Sequence, residues 1–292
     1  MKLIIQPEAG VVPIVKAIKT AKKTIDVLIF RFDRDEIEKA LAAAVQRGVV
    51  VRALIAHTNR GGEARLRKLE QRLLAAGVLV SRSADDLLRY HAKFMVADSV
   101  LYLFGFNFTK LDIDKSRSFA ISTRDSKTVT EALKLFESDV TRQTYAPGKS
   151  HLVVSPENAR DMLTSFISGA KKDLAIYDTK VQDPSIIKLL RERGEKGVRI
   201  RVLGNMRGSD PAIKERKMSN MRLHVRAIVR DGTHAFVGSQ SLRKDELENR
   251  REVGLIIKNP AVARKILSVF DADWDECGKG SKAKAAKAKK AA

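Results

Sequence analysis

The order of apolar and polar positions predicts an alternation of strands and helices in each half of the chain. Short runs rich in Val, Ile and Leu are typical of buried strands, and Val49–Ile55 is the clearest of them. Between the runs, apolar residues recur at helical spacing, as in Asp35–Arg47, where Gly48 then marks a favoured helix end. Such alternation indicates an α/β fold with a largely parallel sheet covered by helices. The predicted strands are Leu3–Gln6, Ile25–Phe30, Val49–Ile55, Asp173–Tyr177 and Val198–Leu203, and the predicted helices are Val11–Ala21, Asp35–Arg47 and Pro184–Glu195.

The chain contains an internal repeat with a period of 149 residues. At this offset Pro7-Glu8 matches Pro156-Glu157, Gly48-Val49 matches Gly197-Val198, and the apolar positions stay in register. A period this long indicates two duplicated halves rather than a solenoid. We expect a first half over 1–146, a second half over 147–277, and a disordered Lys/Ala-rich tail over 278–292.

The composition bears on partners and location. The net charge is +21, and six of the lysines lie in the tail, so an anionic phospholipid membrane or nucleic acid is the expected partner. The single cysteine, Cys277, excludes an internal disulfide. Neither a signal peptide nor an apolar run long enough to span a membrane is evident. We therefore expect a cytoplasmic monomer that binds a membrane only at its surface.

Each half also contains a histidine that is followed by the same residue types at the same spacing. A cation follows at +2, an aspartate at +7 and a glycine at +14. The first set is His91, Lys93, Asp98 and Gly105, and the second set is His224, Arg226, Asp231 and Gly238. Because side chains alternate along a strand, each histidine and its cation should project from one face. Each aspartate then stands where a hairpin turn is needed.

The apolar residues between each histidine and aspartate should point to the opposite face and enter a core. These residues are Ala92, Phe94 and Val96 in the first half and Val225, Ala227 and Val229 in the second. The second strand of each hairpin returns to a small residue, Gly105 or Gly238, near the level of the histidine. In each half an imidazole, a cation and a closely approaching backbone segment therefore lie at one edge of the sheet.

With this spacing, the sequence resembles the phospholipase D superfamily, whose pattern is His-x-Lys-x-x-x-x-Asp, six residues, and then Gly-Ser-x-Asn. The resemblance extends over Met1–Cys277 and implies two α/β/α-sandwich halves related by a pseudo-twofold axis, with both motifs at one site. It also implies phosphodiester chemistry without a metal or a cofactor. One histidine would form a covalent phosphohistidine, and the other would act as acid and base. By this resemblance the ligands of the nonbridging oxygens are Lys93, Arg226, Asn107 and Ser239, and the structural positions of the motif are Asp98, Asp231, Gly105 and Gly238.

The sequence departs from the family pattern within the motifs. Arg226 replaces the second lysine but keeps its charge and can bind phosphate through two hydrogen bonds. In the first half, a one-residue slip that places Phe104 on the family glycine brings Asn107 onto the family asparagine. The second half has Ser241 where the asparagine is usual.

A further departure makes the two halves unequal. Family members carry an acidic residue downstream of each motif, but here only the second half has one, Glu252, and the first half offers Ser118. In related enzymes this carboxylate can reach across the twofold axis. We therefore predict that Glu252 orients His91 as the nucleophile, and that His224 is the acid and base.

Three functions remain open at the level of sequence. The first is a phospholipase D-type or cardiolipin synthase-type enzyme that hydrolyses glycerophospholipids or transfers their phosphatidyl group. The second is a metal-independent nuclease, which the basic charge favours, although aromatic residues for base stacking amount to only 5%. The third is a non-catalytic module that binds nucleic acid or membrane through a decayed site.

Overall fold

The structure of the chain, a computed structural model, describes the backbone of residues 1–57 and 63–291. Side chains are described for residues 1–57 and 64–278. The first half contains β1 (Lys2–Gln6), α1 (Val12–Thr20), β2 (Thr24–Ile29), α2 (Asp35–Gln46), β3 (Val50–Ile55), α3 (Glu63–Ala75), β4 (Leu79–Arg82), β5 (Arg89–Tyr90), β6 (Phe94–Ala97), β7 (Val100–Phe104), α4 (Lys110–Asp114), β8 (Ser116–Thr123) and α5 (Ser126–Thr141).

The second half repeats this order of elements with one helix fewer before its motif. It contains β9 (Leu152–Ser155), α6 (Ala159–Ser168), β10 (Asp173–Val181), α7 (Pro184–Glu195), β11 (Arg199–Met206), β12 (Ile213–Arg216), β13 (Arg222–Leu223), β14 (Arg226–Arg230), β15 (His234–Gly238), α8 (Lys244–Glu248), β16 (Arg250–Ile257) and α9 (Pro260–Ala291). None of the described helices is both long and apolar enough to cross a membrane.

Each half forms one sheet, and the two sheets have the same layout. The first has the order β4-β3-β2-β6-β7-β8-β1, and the second has the order β12-β11-β10-β14-β15-β16, with β9 on β16. The α/β fold is as predicted, but the expectation of a largely parallel sheet is wrong. Among the strands that one half contributes to its own sheet, only β2, β3 and β4, and likewise β10, β11 and β12, pair in parallel. The hairpin that carries each motif inserts beside β2 or β10 and pairs antiparallel, so β1 pairs with β8 instead of β2.

Each sheet also accepts a short strand from the other half. β5 of the first half pairs in parallel with β16, and β13 of the second half pairs in parallel with β8. Both short strands immediately precede a motif histidine. The exchange therefore places each histidine against the sheet of the opposite half.

Apolar side chains form one shared core and two outer cores. The shared core lies between the sheets and includes residues of α5 and α9, whereas α1, α2 and α3 cover the outer face of the first sheet. The helices α6, α7 and α8 cover the outer face of the second sheet. The residues predicted to face a core, namely Ala92, Phe94, Val96, Val225, Ala227 and Val229, all belong to the shared core. The halves thus meet through an apolar interior that neither half could close alone.

The last helix, α9, continues through Ala291, into the segment for which the sequence predicts disorder. Ala and Lys have high helix propensities, which accounts for a helical backbone there. Ala292 and the side chains beyond Gly278 lie outside the described residues. The disorder expected for 278–292 therefore stays a prediction.

Candidate active site

His91 is positioned by the strand that crosses from the first half to the second. Tyr90 in β5 pairs with Arg251 in β16, and the next backbone N–H, that of His91, donates to the carbonyl of Arg251 at 2.8 Å. This register places the imidazole beside Glu252. The Nδ1 atom of His91 lies 2.8 Å from Oε2 and 3.0 Å from Oε1 of Glu252. The carboxylate therefore meets the histidine of the other half, as the sequence predicts.

His224 occupies the equivalent place but has a different neighbour. Leu223 in β13 pairs with Arg117 in β8, and the N–H of His224 donates to the carbonyl of Arg117 at 3.2 Å. The residue that follows Arg117 is Ser118, which offers no carboxylate. Nδ1 of His224 and Oγ of Ser118 are both buried without a hydrogen-bond partner among the described residues. Only one of the two imidazoles is therefore oriented by an acid at Nδ1.

The two motif cations hold equivalent positions. Nζ of Lys93 donates to the carbonyl of His91 at 2.5 Å, and Nη1 of Arg226 donates to the carbonyl of His224 at 3.0 Å. The positive charges of both Lys93 and Arg226 lower the pKa of each imidazole. The two motifs also lie close together, because a Cβ atom on Gly105 of the first motif would lie 3.3 Å from the carbonyl oxygen of Gly238 of the second. Nε of Arg226 also donates to the hydroxyl of Ser241 at 3.1 Å.

Burial sets the protonation states of these groups. Burial, together with the charges of Lys93 and Arg226, lowers the pKa of His91 well below its ordinary value, so its imidazole is neutral at pH 7. A neutral ring that donates its Nδ1 proton to Glu252 has a free lone pair on Nε2. Burial likewise lowers the pKa of His224 well below its ordinary value. Burial lowers the pKa of Lys93 to about 7, although the charge of Glu252 opposes this shift.

A second acidic residue, Asp112, faces the site from α4 and was not anticipated from the sequence. Its Oδ2 atom lies 3.6 Å from Nε2 of His224, and its Oδ1 atom lies 2.5 Å from Nη1 of Arg222. Burial raises the pKa of Asp112, but the charges of His224 and Arg222 and the hydrogen bonds from Asn107 outweigh this effect and keep it lowered. Asp112 is therefore an anionic neighbour of the second imidazole.

The repeat contained a signal for Asp112. In each half, the acidic side chain five residues after the family asparagine position accepts the N–H of that position: Asp112 from Asn107 at 3.0 Å, and Glu246 from Ser241 at 2.7 Å. The pairing register also explains why Asn107 and Ser241 correspond. Phe104 lies opposite Lys93, whereas Gly238 lies opposite Arg226. The structure thus places Phe104, and not Gly105, at the position of Gly238.

The two predicted oxygen ligands on the returning strands bond to protein groups in this structure. Nδ2 of Asn107 donates to Asp112 at 2.6 Å. Oγ of Ser239 accepts the N–H of Val253 at 3.1 Å, which ties the strand to β16 next to Glu252. A role for Asn107 and Ser239 as phosphate ligands stays a prediction.

The motif aspartates lie away from the imidazoles. Asp98 has a φ of 52° and Asp231 a φ of 53°, the left-handed conformation of a tight turn. Each carboxylate accepts three consecutive backbone N–H groups just before or at the start of a strand. The donors are Lys22, Lys23 and Thr24 for Asp98 and Lys171, Lys172 and Asp173 for Asp231. These contacts anchor each motif hairpin to its sheet.

Among the residues that the structure describes, an aromatic ring covers one of the two motif imidazoles and not the other. Phe30 meets His91 edge to face, with ring centroids 4.6 Å apart. Lys93 lies over the Phe30 ring at 5.5 Å, and Arg31 and Arg89 lie over it at 5.6 Å each. The repeat has Thr179 at the position of Phe30. Among the described residues, no group of His, Cys, Asp and Glu could hold a metal ion.

Comparisons with known proteins identify the family and the fold of the chain. The sequence matches the profile of the family described as "Cardiolipin synthase, PLD-like domain" over residues 14–140 and 163–274, whereas no curated protein matches it. The structure is similar to phosphatidylserine synthase of Haemophilus influenzae Rd KW20, with a TM-score of 0.70 and 12% identity over 94% of this chain and 85% of that one. It is also similar to polyphosphate kinase of Porphyromonas gingivalis, with a TM-score of 0.78 and 20% identity over 94% of this chain.

At these identities the structural likeness shows the fold, and the chain spans only 50% of the length of the polyphosphate kinase. The family profile covers most of each half and both histidine motifs. Members of the phospholipase D superfamily are phosphodiesterases and phosphotransferases. The chain therefore belongs to the phospholipase D superfamily, in the family of cardiolipin synthase-like domains.

Proposed function

We propose that the protein is a phospholipase D-type phosphodiesterase that forms a covalent phosphohistidine on His91 and acts on glycerophospholipids. The observation that carries the proposal is the buried bond from Nδ1 of His91 to Glu252, which His224 lacks. An acid at Nδ1 fixes the tautomer with a free lone pair on Nε2 and stabilises the positive charge that the ring acquires on attack. The two imidazoles therefore have different roles.

In the first step, Nε2 of His91 attacks phosphorus, and the bond from phosphorus to the leaving alcohol oxygen breaks. The imidazolium of His224 gives its proton to that oxygen. The anionic phosphodiester and the nearby Asp112 favour this protonated form of His224, because both are negative. Lys93 and Arg226 balance the charge on the nonbridging oxygens.

In the second step, neutral His224 removes a proton from water or from an acceptor alcohol. The resulting oxygen nucleophile attacks phosphorus, and the bond from phosphorus to Nε2 of His91 breaks. Water as acceptor gives hydrolysis, and an alcohol gives transfer of the phosphatidyl group. Both outcomes use the same residues.

Glycerophospholipids are the substrate class that the chain's family and structural neighbours support best. The family profile is that of cardiolipin synthase-like domains, and one structural neighbour is a phosphatidylserine synthase. Two exposed leucines lie close in sequence to the site: Leu88, 63% exposed, precedes His91, and Leu111, 51% exposed, precedes Asp112. Exposed apolar side chains beside a polar site suit a substrate that has both an acyl and a phosphate portion.

A metal-independent nuclease is the second candidate, and the net charge of +21 favours it. Incubation with labelled phosphatidylglycerol and phosphatidylcholine, beside single-stranded and duplex DNA in EDTA, separates the two functions. Release of headgroup or formation of cardiolipin supports the lipid enzyme. Cleavage of DNA alone supports the nuclease, and binding without turnover of either substrate supports a non-catalytic module.

The nucleophile is tested with a phosphodiester that has a p-nitrophenol leaving group, which needs little help from a general acid. His224→Asn should accumulate a phosphohistidine on His91, because the second step lacks its base and should slow about 10²- to 10⁴-fold. His91→Asn should form no adduct. Replacement of the exposed His151 by Asn is the matched control and should change neither rate. Mapping of the adduct to His224 in the wild type would reverse the assignment.

A further inference from the structure

A groove of about 710 Å³ runs between α1 and α2 on the outer face of the first half, and we call it the α1–α2 groove. Its apolar lining comes from three valines and two alanines, and three lysines and one glutamate complete it. The lining residues are Val11, Val12, Val15, Ala40, Ala43, Lys16, Lys19, Lys39 and Glu36. Val12 is 69% exposed, the highest value among the exposed large apolar side chains of the described residues.

The charge of the groove is positive. Lys16, Lys19 and Lys39 form no ion pair within the part of the chain that the structure describes, whereas Glu36 is paired with Arg34 at 3.0 Å. The groove therefore combines an apolar floor with three lysine ammonium groups whose charge is not neutralised nearby. An exposed apolar surface with a rim of polar groups marks a site of interaction with a membrane or a protein.

The duplicated half shows that this surface is not required by the fold. The buried residues of α1, such as Ile14 and Ile18, match buried Leu163 and Ile167 of α6 at the offset of 149. The exposed positions do not match. At the places of Val12, Val15, Lys16 and Lys19 the second half has Asp161, Thr164, Ser165 and Ser168.

The same contrast holds for the second helix of each pair. Ala43 of α2 corresponds to Glu192 of α7, which lies 4.0 Å from Lys188. Lys188 corresponds to Lys39, whose neighbour one turn on is the alanine. Two helix pairs with the same core thus carry different outer faces. The apolar and basic face belongs to the first half alone.

The groove begins at the edge of the sheet that carries the site. β1 and β2 run in the same direction, since four antiparallel pairings separate them across the sheet. Both strands end at the edge of the sheet where His91, the residue that follows β5, is located. The helices α1 and α2 follow these strands, so their first turns, with Val12 and Glu36, lie at that edge. A surface that covers the groove would lie next to the active site.

We propose that the α1–α2 groove is the surface by which the protein binds an anionic phospholipid bilayer. Apolar side chains that enter the interface, together with lysines that meet anionic headgroups, are the two forces that hold a peripheral protein on such a bilayer. The phosphates of a nucleic acid would pair with the lysines, but they provide no apolar surroundings in which the exposed valines could be buried. This inference rests on the proposed lipid substrate in one respect, because it explains how a phospholipid reaches the site.

The test is co-flotation of the whole protein with vesicles of phosphatidylglycerol or of phosphatidylcholine. The first variant, V12D/V15T, carries the residues that the second half has at these positions, which are compatible with the helix. Its partition onto phosphatidylglycerol vesicles should fall about tenfold, because valine burial in the interface is lost. The affinity of the second variant, K16S/K19S, for phosphatidylglycerol vesicles at low salt should fall about tenfold or more. Its affinity for phosphatidylcholine vesicles should change little.

The matched control is K171S/K172S, which removes the same charge at the opposite sheet edge of the second half. It should change vesicle binding less than about twofold, because those lysines lie beyond the reach of the bilayer field. Unchanged melting temperatures show that the variants fold. Equal vesicle binding by V12D/V15T and the wild type would overturn the proposal. So would a K16S/K19S variant that loses affinity for duplex DNA while it keeps vesicle binding.

Vesicle binding needs no turnover, so the proposed function and this inference can fail separately. If the wild type binds vesicles through the groove but neither hydrolyses nor transfers phospholipid, only the proposed function fails. If the protein turns over a soluble short-chain phosphatidylglycerol, but V12D/V15T floats as the wild type does, only the groove proposal fails.

Discussion

At the scale of single residues, the two imidazoles differ because one carboxylate is present and its counterpart is missing. Glu252 and Ser118 hold equivalent positions on β16 and β8, next to the paired arginines Arg251 and Arg117. Glu252 is fully buried, and burial raises its pKa. A buried carboxylate next to a neutral imidazole accepts the Nδ1 proton and leaves the other nitrogen free. A single difference in the duplicated pattern thus gives the two imidazoles different neighbours at Nδ1.

The unusual pKa of Lys93 can be tested by anion binding. Burial lowers that pKa to about 7, so the ammonium loses its proton as the pH rises through this value. Sulfate does not titrate in this range and stands in for the phosphodiester. We expect its affinity, measured by calorimetry, to fall above about pH 7 with a limiting slope of about tenfold per pH unit.

Lys93→Arg should abolish this decline, because a guanidinium stays charged at every accessible pH. Burial lowers the pKa of both histidines well below the ordinary value, and both are retained in Lys93→Arg, so a decline that came from them would persist in this variant. Arg226→Lys is the converse control and should steepen the decline. The same alkaline loss in Lys93→Arg as in the wild type would show that another group titrates.

The sequence predicted some residues of the site and missed others for a physical reason. His91, Lys93, His224 and Arg226 follow from local spacing along a strand. Asp112 reaches His224 from the other half of the chain, a contact that depends on how the halves are joined. Phe30 meets His91 because β2 lies beside β6, which is likewise a matter of sheet order.

At the scale of elements, the close approach of β10 and β11 depends on one glycine. Gly204 has a φ of +156°, and a Cβ atom there would lie 1.6 Å from the carbonyl oxygen of Asp178. The pairing of β10 with β11 shifts register just beyond this point, between Asp178 and Val181. The carboxylate of Asp178 in turn accepts the N–H of Leu242 at 2.7 Å, close to the motif of the second half.

Gly204→Ala should therefore destabilise the protein strongly. The added methyl group would collide with backbone, which cannot move aside as a flexible side chain can. We expect a loss of about 2 kcal/mol or more in the free energy of unfolding, measured in urea. The matched control is Gly197→Ala, which is also at positive φ but has open space around the added methyl group. Its free energy of unfolding should fall by about 1 kcal/mol. Equal losses would show that the contact with Asp178 relaxes.

The elements themselves were largely predictable, but their order in the sheet was not. The helix α7 has the predicted bounds, Pro184–Glu195, and the other predicted elements agree within a few residues at their ends. Periodicity along the chain determines such segments because it reflects which face is buried. The antiparallel half of each sheet depends on where the motif hairpin inserts, and no local pattern specifies that position.

At the scale of the whole molecule, buried ion pairs join the two halves. Arg251 of β16 donates to Asp139 of α5 at 3.0 Å, and Tyr90 donates to the same carboxylate at 2.6 Å. The equivalent Arg117 of β8 donates to Asp273 of α9 at 2.8 Å. These pairs flank the exchanged strands. The halves should therefore unfold together, in one transition.

Arg251→Met tests how much the buried ion pair with Asp139 stabilises the protein. The substitution leaves Asp139 buried without its cation, and we expect a loss of about 3–5 kcal/mol in the free energy of unfolding. Arg72→Met is the matched control, because its partner Glu38 lies 2.7 Å away in an exposed pair that contributes about 1 kcal/mol at most. Calorimetry should record a single transition for each variant. Two separate transitions in the wild type would contradict a shared core.

The amino-acid sequence by itself determined the duplication, the elements of each half and the two imidazole–cation pairs. The duplication appears as a repeat with a period of 149 residues. The elements and the pairs depend on short-range spacing, where side-chain direction follows from the period of the strand or helix. Only the tertiary structure brings Glu252 to His91, a contact that the sequence predicted through the family resemblance and not through spacing. That contact depends on the parallel pairing of β5 with β16, two segments separated by the rest of the first half and most of the second half. Asp112 and the α1–α2 groove likewise exist only when distant segments lie side by side.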